Sequence, residues 1–595
     1  MPGKPELKKT ALIAQISYRG VQKAVHRLAV PIPGYQERRF AQTMKARKRL
    51  TLFLVMILIA PALQSAQSAA DGWVWVGEGI EYQKFHNSDP NNIFVARMDR
   101  SNFNTTLESS IAQGKLASGT ETVRGMAARY DQAINYWGQT WGNTNQVMVA
   151  INGSSFDRDN GTGTPWSGQI QSSWYAQRFW EGENNSGFVW QLDREAFIGE
   201  CVYHPDGRQL IIFSSGEKMP LINGINVPRG EDQLVIYTPQ YDRDTNTAAS
   251  DTAVEVVVEL TRPALLIPDP SKVTGIVREI RDGQGSTIIP FDHIVLSAEG
   301  TARDILLQNI KDNDEIGISQ EIANCPSSPQ KFDWTKSYAS IGGDKLFLVD
   351  GKTVDFSDSE SAAPAPRTAI AFNDNYVFFI VVDGYHPGVS VGMSITQVAD
   401  FAKNKLDATW GISQDSGSSS TMVINGQVVN DTYCNYLFNC NKLADVENSL
   451  PPSLIEKLSQ EPEWDTSSGD WEPKVGNGMM MVVVKPKMQI GGYLPDDVVT
   501  TTEDTQVRLG PGTNYAVLDT VPANTQGVIL KPVSDLNGVW ATGSFWWKVK
   551  LGPTKGWISL QPHFAFQSYV PFVNQSLSAS QLGKTTLGIG SPGSR

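Results

Sequence analysis

The chain has 595 residues, 40% of them hydrophobic and 19% charged, which is typical of a globular protein too long for one simple core. Residues 1–70 contain 12 Lys and Arg against 2 Asp and Glu, a net charge of +10, so residues 71–595 carry −22 and the whole chain −12. Such an acidic body excludes a protein that grips nucleic acid along a basic stripe, because phosphate backbones are held by Lys and Arg. We expect two to four domains and no nucleic-acid partner.

Residues 1–70 have the pattern of a secretory leader. A basic segment at 44–49 precedes the apolar run 50–63, and small residues follow at 65–70. The apolar core is short for a membrane span and typical of a signal peptide. We expect initiation at Met44 and cleavage after the small residues, with an uncleaved anchor as the alternative. The protein is therefore predicted to be secreted or associated with the cell envelope, in an extracellular or periplasmic space.

Four cysteines are compatible with export. Cys434 and Cys440 are close enough to close a small loop, which leaves Cys201 and Cys325 for a second bridge, although three pairings are open. The sequence has no Cys-x-x-Cys, and its six His are scattered. We therefore predict structural disulfides of an oxidising compartment and no zinc site.

The segment 71–485 is predicted to form the main body. The apolar runs Val147–Ile151 and Met479–Val484 have the character of buried strands, and Tyr376–Val382 is a continuous apolar run that we expect to be a central strand. Residues 236–320 read as a β-rich module. Six tryptophans in the first part of the body predict either core packing or stacking on sugar rings: Trp137, Trp141, Trp166, Trp174, Trp180 and Trp190.

Local signals predict two hairpins and a helix in this body. Asp350-Gly351 and Asn425-Gly426 each follow an apolar run, and such pairs tolerate the positive φ angles of tight hairpin turns. Ser394 and Gln397 form a capping-box pattern, and apolar residues at helical spacing follow. A strand, a helix, a glycine-containing loop and a hairpin in succession predict an α+β fold with a mixed α/β core.

The remaining segments are punctuated by polar and proline-rich stretches. Residues 431–475 read as an insertion pinned by the Cys434–Cys440 bridge, and 486–496 as a linker. A small β module is expected at 497–565, and 566–595 as a flexible tail.

Three short stretches of the body have the residue types of a site for a phosphate-linked sugar. Asp383-Gly384 ends the central strand, where a carboxylate is rigid and partly desolvated. Asp415 precedes six small residues, 416–421, whose backbone N–H groups and hydroxyls suit an anion. Arg367 offers a planar guanidinium for a phosphate. Each stretch alone has an ordinary structural explanation.

Together with three further stretches they form an ordered set that resembles the phosphodiester glycosidase family. This family includes N-acetylglucosamine-1-phosphodiester α-N-acetylglucosaminidase and bacterial exopolysaccharide biosynthesis proteins. The resemblance runs from about Val147 to Val484 and rests on these motifs: Asn152-Gly153-x-x-Phe156, Ile341-Gly342-Gly343, Pro366-Arg367-Thr368-Ala369, Val382-Asp383-Gly384, Gly392-Met393 and Asp415-x-Gly417-x-Ser419-Ser420-Thr421-Met422.

The resemblance implies a hydrolase that cleaves the sugar side of a sugar-1-phosphodiester in glycan or cell-envelope material. Its oxocarbenium-like transition state would be stabilised by carboxylates while a cation or an acid helps the phosphate leave. The predicted catalytic residues are Asp383, Asp415 and Arg367, with the order of the two carboxylate roles left open. The predicted substrate-binding residues are Asn152, Gly153, Thr368, Gly384, Gly417, Ser419, Ser420 and Thr421. We predict no cofactor, although a divalent cation between the aspartates is compatible with these residues.

The chain departs from the family pattern at Ser416 and Ser418, where glycine is usual. The serine side chains either narrow the pocket or serve as ligands. The alternative function is accordingly a catalytically inactive surface protein of the same fold that binds glycans or cell wall. A serine peptidase is disfavoured, because His386 is the nearest upstream histidine and nothing marks it as a base.

The region 497–565 resembles a bacterial SH3-like domain. The similarity rests on Gln506–Tyr515, on Trp546-Trp547 and on Gly556-Trp557. Gly510-Pro511-Gly512 supplies a tight turn, and the tryptophans are expected to build the core of a small β-barrel. The resemblance implies contact with peptidoglycan or wall glycans, and a passive spacer is the alternative.

Overall fold

The computed structural model of the chain describes residues 72–560 except for several short gaps. The gaps are 118, 159–160, 219–220, 262–272, 327–331, 436–437, 440–463, 466–471 and 533–534, and only the backbone is described at 182–186, 200, 433–435, 438–439, 464–465 and 560. The predicted leader, the predicted tail 566–595, the Cys434–Cys440 bridge and most of the insertion 431–475 lie outside the described residues. From Trp73 onward the chain forms one compact unit.

Two sheets built from distant parts of the chain carry the strands on which the predicted site residues lie. In sheet A the strands lie in the order Val74–Gly77, Ile80–Asn87, Asn91–Asp99, Tyr376–Val382, Arg367–Phe372, Trp410–Ser413, Leu346–Val349 and Lys352–Thr353. In sheet D the order is Gln427–Val428, Met422–Ile424, Asn143–Asn152, Asn477–Lys485 and Thr105–Ile111, with Ile134–Asn135 beside Asn143–Asn152.

Three more large sheets surround them. Sheet B has the order Ala323–Asn324, Ala196–Tyr203, Gly182–Gln191, Ser337–Gly342, Gln169–Gln171 and Trp174–Gln177. Sheet C has the order Gln209–Ile212, Glu315–Gln320, Thr274–Asp282, Ala253–Leu260, His293–Glu299, Leu234–Tyr237 and Gly224–Ile225. Sheet E has the order Val498–Thr500, Gln526–Ile529, Ser544–Leu551, Thr554–Leu560, Thr505–Arg508 and Val517–Val521, with Val539–Ala541 beside Ser544–Leu551. Smaller ladders join Tyr433–Asn435 to Phe438–Asn439, and Trp464–Asp465 to Glu472–Val475 to Glu121–Thr122.

The prediction of an α+β fold is wrong, because the protein is mostly β-sheet. Strands make up 46% of the structure and helices 12%. Four helices occur among the described residues: α1 (Val123–Tyr130), α2 (Thr301–Asn309), α3 (Ser359–Ala362) and α4 (Ile395–Leu406). The physical reason is the direction of pairing. Neighbouring strands of sheet A pair antiparallel and need only short turns, whereas parallel strands would have required crossover helices.

The local predictions are confirmed. Tyr376–Val382 is an interior strand of sheet A. Asp350-Gly351 and Asn425-Gly426 have positive φ angles and join short hairpins. Helix α4 begins after Ser394, and both hydrogen bonds of its capping box with Gln397 are present. These features depend on neighbouring residues only, which is why the sequence predicts them.

One apolar core is shared by sheets A, B, C and D and reaches sheet E. Its buried members include Phe379 of sheet A, Phe188 of sheet B, Val256 of sheet C, Val149 of sheet D and Trp546 of sheet E. Burial of such side chains contributes about 2 kcal/mol each, so the common core holds the strand ends of sheets A, B and D in fixed relation.

The second predicted disulfide is confirmed. Cys201 of sheet B and Cys325, just after the neighbouring strand, are bridged with a Cα–Cα distance of 5.5 Å. Sheet C lies entirely between these two cysteines in the chain, and it includes the predicted module 236–320. No helix among the described residues is long and apolar enough to cross a membrane.

Candidate active site

The predicted site residues lie where strand ends of sheets A and D meet. The loop 414–421 leaves sheet A after Trp410–Ser413 and enters sheet D at Met422–Ile424. The backbone of this loop is fixed on both sides. Gln414 N donates to Thr368 O at 2.8 Å, and Asp415 N donates to Gly153 O at 2.9 Å. The sheets therefore hold the loop rigidly, as an active site requires.

Asn152 is the hydrogen-bonding centre of this arrangement. Its buried amide Nδ2 donates to Asp415 O at 2.8 Å. Its Oδ1 accepts from Thr368 Oγ1 at 2.7 Å and from Thr421 N at 3.1 Å. The Asn152 side chain thus links the end of its own strand in sheet D to a strand of sheet A and to both ends of the loop 414–421. Four predicted binding residues and the predicted catalytic residue Asp415 therefore form one hydrogen-bonded unit; the binding residues are Asn152, Gly153, Thr368 and Thr421.

Asp415 lies in a cluster of charged and hydroxyl groups at the mouth of this unit. Its Oδ2 accepts from Arg158 Nη2 at 2.7 Å and from the hydroxyl of Ser419. The same Arg158 nitrogen reaches Ser419 Oγ at 2.6 Å. Ser416 N donates to Asp415 Oδ1 at 3.0 Å. The Asp415 side chain is mostly buried, while that of Arg158 is 48% exposed, so the cation forms the solvent side of the cluster.

The serines that replace the family's glycines fit the loop without strain. Gly417 has a φ of +70°, which favours glycine. Ser416 has an extended backbone with a φ of −118°, and Ser418 is not among the residues with positive φ. The loop therefore needs the freedom of glycine at its middle position, which this chain retains.

Asp344 is a second carboxylate beside Asp415. It follows Ile341-Gly342-Gly343 and is open to solvent on one side. The hydroxyl of Ser155 donates to its two oxygens at 3.1 and 3.3 Å. Partial loss of hydration, and the negative charge of Asp415, raise the pKa of Asp344 to about 6. This carboxyl therefore changes protonation close to neutral pH, which suits an acid or a base.

Asp383 lies deeper, on the other side of the loop. Its Oδ1 accepts from Asn430 Nδ2 at 3.3 Å and from Asp431 N at 3.0 Å. Asn430 also donates to Ser420 O at 3.0 Å, so Asp383 reaches the loop through this amide. Burial, and then the charge of Asp431, raise the pKa of Asp383 to about 8. The carboxyl is consequently protonated at neutral pH.

Arg367 is buried and donates mainly to backbone carbonyls. Nε donates to Met393 O at 3.0 Å, and Nη2 to Glu360 O and Ala363 O at 2.8 Å each. Its Nη1 makes no hydrogen bond to the residues that the structure describes, which leaves two N–H donors for another group. Gly384 packs nearby, where a Cβ would lie 2.4 Å from Pro366 N.

Five buried polar atoms without hydrogen-bond partners among the described residues lie in this loop and at Asp383. Such atoms are rare in folded proteins and mark places where water or a ligand completes the bonding. The five are both amide atoms of Gln414, the hydroxyls of Ser420 and Thr421, and Oδ2 of Asp383. The site is therefore polar and incompletely satisfied by the protein itself.

Sequence reasoning missed three residues of this site: Arg158, Asp344 and Asn430. Two of them had a signal in the motifs, since Arg158 lies two residues after Phe156 and Asp344 directly follows Gly343. No motif indicated Asn430, because this residue reaches Asp383 only after the chain has returned to sheet D. Within the part of the chain that the structure describes, no group of three or more His, Cys, Asp or Glu is arranged to hold a metal ion.

The raised pKa of Asp383 predicts a pH-dependent stability. Between about pH 4 and 8 only the folded state holds this proton, so the free energy of unfolding falls by up to about 1.4 kcal/mol for each pH unit. Below about pH 4 and above about pH 8, Asp383 does not affect how the free energy of unfolding changes with pH. Asp383→Asn keeps an uncharged side chain and removes the effect. We expect urea unfolding at pH 5 and pH 8 to show the variant gaining stability relative to the wild type as pH rises.

The matched control is Asp374→Asn, in the exposed turn at the opposite end of the same strand. It is expected to keep the same stability difference from the wild type at both pH values. An equally constant difference for Asp383→Asn would contradict the protonated buried carboxyl.

Residues 272–448, which are 177 of the 595 residues, match the family model of the phosphodiester glycosidases. The matched range contains Arg367, Asp383 and Asp415, while Asn152 and Arg158 come from outside it. No curated protein sequence matches the chain.

Solved structures give only distant similarities. A hypothetical protein from Synechocystis is 16% identical, with a TM-score of 0.42, over 70% of this chain and 64% of its own. A protein from Burkholderia pseudomallei whose name suggests export is 16% identical, with a TM-score of 0.40, over 67% and 74%. The catalytic domain of zebrafish N-acetylglucosamine-1-phosphodiester α-N-acetylglucosaminidase, auto-inhibited by its pro-peptide, is 13% identical, with a TM-score of 0.29, over 60% and 77%. The chain spans less than two thirds of the first of these proteins.

Proposed function

We propose that the protein is an exported hydrolase that cleaves the sugar side of a sugar-1-phosphodiester in glycan or cell-envelope material. The observation that carries the proposal is the cluster of Asp415, Arg158 and Ser419 beside Asp344. It lies partly in the region that matches the phosphodiester glycosidase family. Two carboxylates in different environments, next to a cation, are what a glycosidic bond to phosphate requires.

The proposed roles follow from the environment of each group. Asp415 stabilises the positive charge that develops on the sugar ring, and Asp344 takes a proton from the attacking water. The water oxygen bonds to the anomeric carbon as the bond from that carbon to the phosphate oxygen breaks. The electron pair leaves with the phosphomonoester, which needs no proton because phosphate is a weak base. We assign Arg158 and Nη1 of Arg367 to this anion, because a planar guanidinium suits a phosphate.

The remaining predicted residues support these groups in the proposal. Asn152 and Thr368 orient the loop, and Gly417 gives it the required turn. Asp383, protonated at neutral pH, holds Asn430 and through it Ser420, so we assign it a positioning role. Ser420 and Thr421 carry unpartnered hydroxyls for the substrate.

The pH dependence of the reaction tests the role of Asp344. With UDP-N-acetylglucosamine or an alkyl glycosyl phosphodiester, we expect kcat/KM to rise as pH increases through about 6 and then to level off. Asp344→Asn should lower the plateau by about 10²- to 10⁴-fold and abolish the rise. Asp374→Asn, an exposed carboxylate elsewhere in sheet A, is the control. An unchanged profile in Asp344→Asn would exclude this residue as the base.

Hydrolysis in ¹⁸O-water tests which bond breaks. Cleavage on the sugar side places the label in the free sugar, and mass spectrometry reads it directly. Label in the phosphomonoester would instead make the protein a phosphodiesterase that attacks phosphorus.

The second candidate is an inactive glycan-binding protein of the same fold. It is favoured by Ser416 and Ser418, which stand where the family pattern has glycine. Ser416 Oγ donates to Gln414 O at 3.1 Å and so occupies space in the loop. Saturable binding of a glycosyl phosphodiester without turnover over a broad substrate screen would establish this function.

The cellular location is proposed on the disulfide and the predicted leader. The Cys201–Cys325 bridge is compatible with an extracellular or periplasmic space. We also propose the domain boundaries predicted above, with sheet E as the SH3-like module and with wall glycans or peptides as its partner.

A further inference from the structure

A cavity of about 290 Å³ lies where three parts of the chain meet. Helix α1 contributes Tyr130, the segment preceding sheet C's strand Ala253–Leu260 contributes Arg243, and the C-terminal module contributes Arg508 and Tyr515. The cavity shares no residue with the candidate active site. Its volume suits a single sugar unit with a small substituent.

Aromatic rings form much of the wall. Trp141 packs edge-on against Phe291 with a centroid distance of 5.0 Å, and Phe291 against Tyr515 at 5.4 Å. Trp174 completes the lining on the side of sheet B. Trp141, Phe291 and Trp174 are 4%, 2% and 1% exposed and form a closed apolar floor, so the ring of Tyr515, which is partly exposed, is the aromatic surface on which a sugar ring can pack.

The wall also contains polar groups that the protein leaves unused. Nε1 of Trp141 and Oδ1 of Asn514 are buried and have no hydrogen-bond partner among the described residues. The hydroxyl of Tyr515 likewise has no partner within that part of the chain. The Trp141 and Asn514 atoms have almost no accessible surface, so the Tyr515 hydroxyl is the group of this wall left to bond a sugar hydroxyl.

The charges at the cavity favour an anion. Arg508 donates to Thr513 O and Tyr515 O and to the amide oxygen of Gln506, and Arg243 donates to Leu518 O. Neither guanidinium has a carboxylate partner among the described residues. Burial lowers the pKa of Arg508, because the charged form loses hydration there.

Two other cations that line the cavity each have a carboxylate partner. Lys115 is paired with Asp242 at 2.9 Å, and Arg129 with Glu121 at 2.5 Å. Arg508 and Arg243 have no such partner among the described residues, although residues 71–595 together carry a charge of −22. A partly buried, unpaired arginine gains most from a charge-assisted hydrogen bond to a carboxylate or a phosphate.

We propose that this cavity is a second glycan-binding site, which takes a sugar unit bearing one carboxylate or phosphate group. Tyr515 receives the sugar ring and one of its hydroxyls, and Arg508 and Arg243 receive the anion. The site would bind an anionic glycan at a second place on the same chain. It stands independently of the proposed catalysis, since it uses none of the catalytic residues.

Isothermal titration calorimetry of the full chain with glucose 6-phosphate, glucuronate and glucose tests the proposal. We expect both acidic sugars to bind at least about tenfold more tightly than glucose. Arg508→Gln should abolish this preference, and Tyr515→Phe should weaken all three sugars by about threefold. Lys405→Gln on helix α4 removes the same charge from an exposed surface and should change nothing.

The variant Asp415→Asn tests whether the acidic sugars bind at this cavity or at the active site. It is expected to leave binding of the acidic sugars unchanged, whatever its effect on hydrolysis. Loss of binding in this variant, or equal binding of glucose and the acidic sugars, would overturn the proposal. If Arg508→Gln unfolds the C-terminal module, Arg243→Gln replaces it, because Arg243 makes a single backbone hydrogen bond there. Unchanged binding in a folded arginine variant would also overturn the proposal.

Discussion

Replacing Asp415 by asparagine is expected to lower kcat/KM for a glycosyl phosphodiester by at least about 10³-fold. The asparagine is nearly the same size and its carbonyl still accepts from Ser416 N. It removes the negative charge that faces Arg158 and the developing charge of the sugar. The fold should persist, because the backbone of the loop is held by Asn152, Gly153 and Thr368. Initial rates over a substrate series, with circular dichroism for folding, measure the effect.

Two further variants complete this experiment, one as a control and one as a test of coupling to Asp415. Asp374→Asn removes a carboxylate from the exposed turn of sheet A and is expected to retain full activity. Arg158→Gln should lower activity by itself, and the double variant with Asp415→Asn should lose less than the product of the two single losses, because the side chains act as one unit. Activity of a folded Asp415→Asn within tenfold of the wild type would remove Asp415 from the mechanism.

Removing the Cys201–Cys325 bridge is expected to have the largest effect on stability. The bridge closes a loop with a sequence separation of 124, and chain-entropy estimates for loops near that length are about 4–5 kcal/mol. The loop contains all of sheet C, so the loss should appear there first. The double variant Cys201→Ser with Cys325→Ser is therefore expected to lose hydrogen-exchange protection over 209–320 in mild guanidinium.

Reduction of the wild-type protein is the matched control, since it opens the same bridge and keeps both cysteine side chains. The double variant and reduction should lower the hydrogen-exchange protection of sheet C by similar amounts, while the loop 414–421 remains protected. Protection within about 1 kcal/mol of the oxidised protein in both cases would show that the shared core holds sheet C without the bridge.

Several features of the fold and the site were accessible from sequence because their causes are local. The capping box of Ser394 and Gln397 predicts where helix α4 begins, and Asp350-Gly351 predicts a tight turn, since neighbouring residues alone determine both. The ordered motifs around Arg367, Asp383 and Asp415 indicated the family. The Cys201–Cys325 pair was reached as the remaining partners of a closer pair.

The sequence by itself thus determined the helices, turns and strands whose signals lie within a few residues, together with the similarity of the region 272–448 to the phosphodiester glycosidase family model. The tertiary structure alone decided the fold class, because antiparallel pairing between distant strands replaces the crossover helices that an α/β core needs. It also decided the composition of the site. Arg158 meets Asp415 from 257 positions away, and Asn430 reaches Asp383 only after the loop returns to sheet D. Such contacts depend on which strand ends meet, and local signals do not carry that information.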